Sequence, residues 1–226
     1  MSSEVPSTPR FFVLEPGFRG SNYDGDVESA MPLNLGRVER CAACGAAVGK
    51  RPWLPPYRVN LILHGEQPGD FLATAGHDFL VSERFVQAFQ AEGLTGLEGL
   101  LPVEVLRVRR RQRGLSAASA APSYRVVRAR YGPAAVDLGH SGLRYAEPLT
   151  CDVCRSMNMQ SVHGFQVEAG SWKGEDLCRL RGLTGVLTVS ERFERFVARH
   201  GFTNMRLTRT ENYVWDPLTP KLESSS

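Results

Sequence analysis

Four of the five cysteines fall in two Cys-x-x-Cys pairs, Cys41/Cys44 and Cys151/Cys154, set 110 residues apart. No other feature of the chain limits its folding so strongly. A Cys-x-x-Cys turn presents two thiolates on one side of a tight loop, half of the tetrahedral shell that zinc takes in structural sites. Two such knuckles fill the shell and leave no open position, which suits a structural site rather than a catalytic one. The odd cysteine count argues against a disulfide framework. Gly45 after the first pair fits a turn that takes a positive φ. Arg155 holds the matching place in the second pair, so that turn must avoid or tolerate the same conformation.

Three other readings of the thiols stay open. A thioredoxin-like dithiol expects one pair at the start of a helix in a βαβ context, and there are two pairs here. Two separate metal sites would need His64 or His77 in one half and His163 in the other. The thiols could also be buried and free of metal. Cys178, outside the pairs, reads as a small buried apolar residue.

Elements around the pairs recur. Val81-Ser82-Glu83-Arg84-Phe85 returns as Val189-Ser190-Glu191-Arg192-Phe193, 108 residues later, and Gly93 maps onto Gly201 at the same offset. Leu94-Thr95 answers Phe202-Thr203. Ser82–Glu92 and Ser190–His200 read as helices. Each has a serine cap, a glutamate in the first turn, phenylalanines on one face and a glycine stop. Phe11–Leu14 and Val59–Leu63 read as strands, Phe165–Val167 as a short strand, and Tyr213–Trp215 as a closing strand. Leu100–Val108 and Tyr124–Tyr131 read as a hairpin across an exposed loop, Arg109–Ser123. The fold class expected is α+β: a pseudo-duplicated unit, each half a zinc knuckle with strands and one capped helix, joined at a shared zinc site. The expected layout is a disordered N-terminus over 1–10, one domain over 11–217 made of pseudo-repeats at about 11–131 and 132–217, and a disordered tail over 218–226.

With 226 residues, 42% of them hydrophobic, the chain has apolar surface enough for a core without metal. A net charge of +3 is far from a nucleic-acid signature. Arg107, Arg109, Arg110, Arg111 and Arg113 lack interleaved aromatics and read as solvated loop charge. No stretch is long enough to span a bilayer, and Met1–Arg10 lacks the regions of a signal peptide, so the expected location is the cytoplasm. The histidines show no triad or metalloprotease spacing, and Gly182-Leu183-Thr184-Gly185 is too short for a phosphate loop and lacks its lysine. An enzyme is not expected. Trp53, Trp172 and Trp215 read as core aromatics in preference to interface anchors.

The two cysteine pairs, Ser171-Trp172-Lys173-Gly174-Glu175-Asp176, Gly182-Leu183-Thr184-Gly185, Val189-Ser190-Glu191-Arg192-Phe193 and Asn212-Tyr213-Val214-Trp215-Asp216-Pro217 together resemble the double-CXXCG-motif proteins of myxobacteria. The resemblance runs from about Phe11 to Pro217. Arg155 departs from the motif but removes no thiolate. Members of that family are associated with immunity to Sit-type lipoprotein toxins, passed between kin cells by outer-membrane exchange. The resemblance implies a cytoplasmic protein that neutralises a cognate toxin domain by binding it; the structural zinc at Cys41, Cys44, Cys151 and Cys154 is expected from the cysteine pairs themselves. No membrane partner is expected, and nucleic acid is not the expected partner. The alternative, from a different class, is a zinc-ribbon nucleic-acid-binding or regulatory protein. The Arg-rich loop and an acidic patch at Glu175 and Asp176 are the candidate contact regions.

Overall fold

Two short helices, each started by a serine, hold the centre of the molecule. In the computed structural model, residues 9–17, 21–74, 78–110, 122–155 and 158–217 are described. The chain runs β1 (Phe11–Pro16), β2 (Gly25–Ser29), β3 (Arg58–Leu63), β4 (Phe71–Ala73), β5 (Asp78–Ser82), α1 (Glu83–Ala91), β6 (Leu97–Pro102), β7 (Glu104–Arg110), β8 (Tyr124–Ala129) and β9 (Tyr131–Ala135). It continues through β10 (Leu143–Tyr145), β11 (Met159–His163), β12 (Leu177–Arg181), β13 (Leu183–Ser190), α2 (Glu191–His200), β14 (Met205–Arg209) and β15 (Val214–Trp215). The class is α+β, mostly strand.

Both helices start as the sequence predicts. The Ser82 hydroxyl accepts from Phe85 N at 3.3 Å, and that of Ser190 from Phe193 N at 3.2 Å. Each satisfies one of the donors a helix start leaves open. Helix α2 ends at Gly201, whose φ of 58° and ψ of 42° are left-handed. Each helix follows directly on a strand, β5 into α1 and β13 into α2. The apolar faces meet in one aromatic cluster. Phe85 lies 5.6 Å from Phe196 and 5.0 Å from Phe202, with Phe89 and Phe193 alongside. All five rings are buried, and burial of aromatic area on this scale dominates core energetics.

A four-stranded sheet, β4-β5-β8-β6, and a five-stranded sheet, β14-β1-β13-β12-β9, carry the helices. Strand β1, first in the chain, hydrogen-bonds with β13 and β14, near the chain's other end. Two three-stranded sheets, β2-β3-β7 and β10-β11-β15, stand beside them. Each contains a hairpin whose connection carries one cysteine pair: β2/β3 around Cys41 and Cys44, β10/β11 around Cys151 and Cys154.

Crossed polar braces tie the helices together. Asp70, ahead of β4, accepts from the Ser82 hydroxyl at 2.6 Å and Arg84 Nε at 2.7 Å. It also accepts from the backbone N–H and hydroxyl of Thr203, beyond α2, at 2.7 and 2.8 Å. Asp176, ahead of β12, accepts from the Ser190 hydroxyl at 3.1 Å, Arg192 at 3.0 Å and the N–H of Thr95, beyond α1, at 2.9 Å. The two arginines then cross over. Arg84 donates to the carbonyls of His200 and Gly201, and Arg192 to those of Glu92 and Gly93. Each therefore satisfies carbonyls left open at the end of the other helix. Both carboxylates are buried, and a buried charge persists when it is paired and hydrogen-bonded in this way.

Several sequence expectations change. Leu100–Val108 is not one strand: β6 pairs with β8, while β7 pairs in parallel with β3 in another sheet. The chain leaves the first sheet after Pro102, a residue with no N–H to give a ladder. The expected hairpin with Tyr124–Tyr131 is thus β6/β8 alone, and Tyr131 begins β9. Arg107, Arg109 and Arg110 lie on β7 rather than in a loop, while residues 111–121 fall outside the described set. Phe165–Val167 forms no strand; Val167 makes a single bridge to Val136. Of the ends expected to be disordered, 1–10 and 218–226, residues 1–8 and 218–226 also lie outside it, while Pro9 and Arg10 are described. Asp176 is no surface contact, because it is buried in its brace. Trp53 is buried, Trp172 is half-buried, and Trp215 is exposed on β15.

Candidate metal centre

The two knuckles meet. The Cys41 and Cys151 sulfurs are 4.0 Å apart, those of Cys44 and Cys154 are 3.6 Å apart, and all four Sγ atoms lie within 4.8 Å of one another. None is in a disulfide, whose sulfurs would be separated by about 2 Å. Four sulfurs at about 2.3 Å from a tetrahedral ion stand about 3.8 Å from each other, and the two cross-knuckle distances bracket that spacing. The cluster is compatible with a metal ion at its centre.

Local backbone geometry explains why these residues make knuckles. Gly45 N donates to Cys41 O at 2.8 Å, and Arg155 N to Cys151 O at 2.9 Å. Their φ angles are +73° and +50°, so both turns close in the left-handed region. A non-glycine residue there costs about 1–2 kcal/mol. The second turn tolerates that strain. The Arg155 side chain is held by the Val136 carbonyl at 2.8 Å and by the Glu168 carboxylate. Further bonds fix the second knuckle: Cys154 O accepts from Tyr131 Oη and Gly182 N, both at 3.2 Å, and Val153 O accepts from Arg181. Gly182 is required here, since a Cβ would come within 2.7 Å of Val136.

Two of the four thiols, Cys41 and Cys151, sit in an environment that favours thiolate. The backbone N–H groups of Cys44 and Ala43 lower Cys41 to about 7. The N–H of Cys154 and then the Cys44 side chain lower Cys151. At Cys44 the Ala46 N–H pulls downward, but the neighbouring Cys151 sulfur and desolvation outweigh it and the thiol is raised. Lowered thiols ease the deprotonation that a cation needs of its ligands. Cys41 and Cys154 are buried, Cys151 is half-buried and Cys44 is exposed.

The histidines take other partners. His64 pairs with Asp26 at 2.7 Å and His163 with Asp216 at 3.1 Å, while His77 lies outside the described residues. Among the described residues, the metal-type cluster consists of the four cysteines alone. Cys178 is buried in the apolar cluster around Val13, Leu180 and Tyr213, and burial raises its thiol to about 12. Sequence reasoning missed the Asp70 and Asp176 braces. Their signal was the recurrence of Thr95 as Thr203, the two residues that complete them. No helix among the described residues is long and apolar enough to cross a membrane. No protein-family model matches this chain, and no match to a curated protein was found.

Proposed function

We propose that this chain is an immunity protein, a zinc-stapled scaffold that neutralises a cognate bacterial toxin domain by stoichiometric binding in the cytoplasm. The observation that carries the reading is the convergence of four thiols from two distant segments. Their number, softness and spacing suit zinc, with Cys41, Cys44, Cys151 and Cys154 as ligands. Four sulfurs close the shell, so the ion would brace rather than react.

The segments on which the resemblance to the double-CXXCG proteins rests have scaffold roles in this chain. Trp172 Nε1 donates to Glu175 O and its ring meets Phe11 edge-on at 5.2 Å. Asp176, Ser190 and Arg192 form one brace, and Tyr213 is buried. The matched caps, reciprocal arginines and paired knuckle hairpins also support descent from a duplicated unit. In that reading β1 completes the second unit's sheet as β8 completes the first's. A binder gains affinity from preorganisation of this kind, since less freedom is lost on association.

Exposed Arg107 and Arg109 on β7 favour the second reading, a nucleic-acid-binding or regulatory protein. Co-expression with a candidate toxin domain taken from a neighbouring gene separates the two. Immunity requires that growth arrest be lifted and that a 1:1 complex be isolated. Continued arrest, together with DNA or RNA binding that weakens steeply with salt, would assign the second reading instead.

A further inference from the structure

Strand β7 stands at one edge of the β2-β3-β7 sheet. Among the described residues it pairs with β3 alone, in parallel. A strand in that position presents a row of backbone N–H and C=O groups on its outer side, a template for another strand. At seven residues β7 is the longest of the strands at a sheet edge, so it offers the longest such template.

The two faces of β7 differ. Val105 and Val108 are half-buried and pack against the cluster around Trp53, Val59 and Leu61. Arg107 and Arg109 flank Val108, so strand alternation sets both on the opposite face, where they are exposed. Among the described residues neither makes an ion pair or a side-chain hydrogen bond. The other charges of the strand are engaged: Glu104 accepts from Arg58 at 2.8 Å, and Arg110 donates to Glu66 O at 2.8 Å. Leu106, between the two faces, has no partner on β3 because the register shifts there, and it is 51% exposed.

We infer that the outer edge of β7 is a docking site for an extended segment of a partner protein in which acidic and apolar residues alternate, added as a fourth strand. Backbone pairing of this kind holds an extended peptide, and alternate side chains select it. Acids on one face meet Arg107 and Arg109 across the strand gap, and apolar side chains on the other extend the cover over Val105 and Val108. A second copy of β7 fits poorly, because pairing it with itself brings arginines against arginines. A nucleic acid uses the charges but not the backbone edge, and β7 has no aromatic side chain on which a base could stack. The inference names a binding surface and does not depend on the partner being a toxin.

The test titrates the full-length zinc-loaded protein into a fluorescently labelled peptide of alternating glutamate and valine, read by anisotropy, with a scrambled peptide of the same composition beside it. Saturable binding of the alternating peptide is expected, at least tenfold tighter than that of the scrambled one. Arg107→Glu/Arg109→Glu should weaken it by about tenfold or more. Arg144→Glu/Arg195→Glu, the same change of charge at exposed sites elsewhere, should leave it unchanged. An unchanged melt of each variant shows that the fold is kept. Equal binding of the two peptides would reduce the site to charge attraction and overturn strand addition. No saturable binding would mean that the arginines only guard the edge, and it overturns the site as well. Self-association or single-stranded DNA binding that the Arg107/Arg109 variant loses, with no peptide binding, would assign the edge to a second copy or a nucleic acid instead.

Discussion

Replacing Cys154 with serine is expected to remove stoichiometric zinc and lower the melting temperature by about 6–20 °C. The Cys154 sulfur is 3.6 Å from that of Cys44, and the residue is 2% exposed. A hydroxyl there is a poor ligand, and three thiolates would be left without their cation. Structural zinc contributes its binding free energy to folding. In this chain the aromatic cluster between the helices stands apart from the metal centre, so part of the fold does not need the ion. A loss of about 3–5 kcal/mol follows, less than the roughly 10–16 kcal/mol of zinc-finger peptides that fold only with metal. At about 2–4 °C per kcal/mol for a chain of this size, the melt reads it directly. Cys178→Ala is the control for thiol loss and should leave zinc content unchanged. A Cys154→Ser protein with full zinc and an unchanged melt would contradict the assignment.

The second large effect is expected at the crossed braces. Asp70→Asn and Asp176→Asn should each cost about 2–3 kcal/mol in urea denaturation. Breaking a fully buried ion pair costs about 3–5 kcal/mol, but Arg84 and Arg192 are half exposed and water screens part of the interaction. Because each carboxylate joins the start of one helix to a threonine beyond the end of the other, the loss should move a single transition rather than split it in two. A cost below about 0.5 kcal/mol, the usual range for surface changes, would show that the braces are ornamental.

Asp70 adds a pH dependence. Burial alone would raise its pKa, but Arg84, Ser82 and Thr203 outweigh burial and hold it below the ordinary carboxylate range. The stabilisation is therefore complete above about pH 4, the unfolded value. It is lost as pH falls through the lower folded value, where the unfolded chain has already bound its proton. Asp70→Asn should remove that share of the acid sensitivity.

The parts of the fold that could be read from sequence were those set by local chemistry. Ser82 and Ser190 followed by glutamate mark helix starts because a cap acts within three residues. The Cys-x-x-Cys pairs announce their geometry because a knuckle is a four-residue object. The partnership of the pairs was legible from the ligand count that a tetrahedral ion demands. What escaped was set by distant contacts. Nothing local tells that Pro102 separates strands of two different sheets, or that β1 pairs with strands near the other end of the chain. Asp176 looked like a surface acid beside Glu175, since the residues that bury it, Thr95 and Arg192, come from elsewhere in the chain. Short strands such as β4, with three residues, carry too little alternation to show a period.

The most direct measurement is zinc K-edge X-ray absorption on the purified full-length chain, together with its metal content. One zinc per chain is expected, in a shell of four sulfurs at about 2.3 Å. A substoichiometric metal content, or a shell containing nitrogen or oxygen in place of any sulfur, would contradict it.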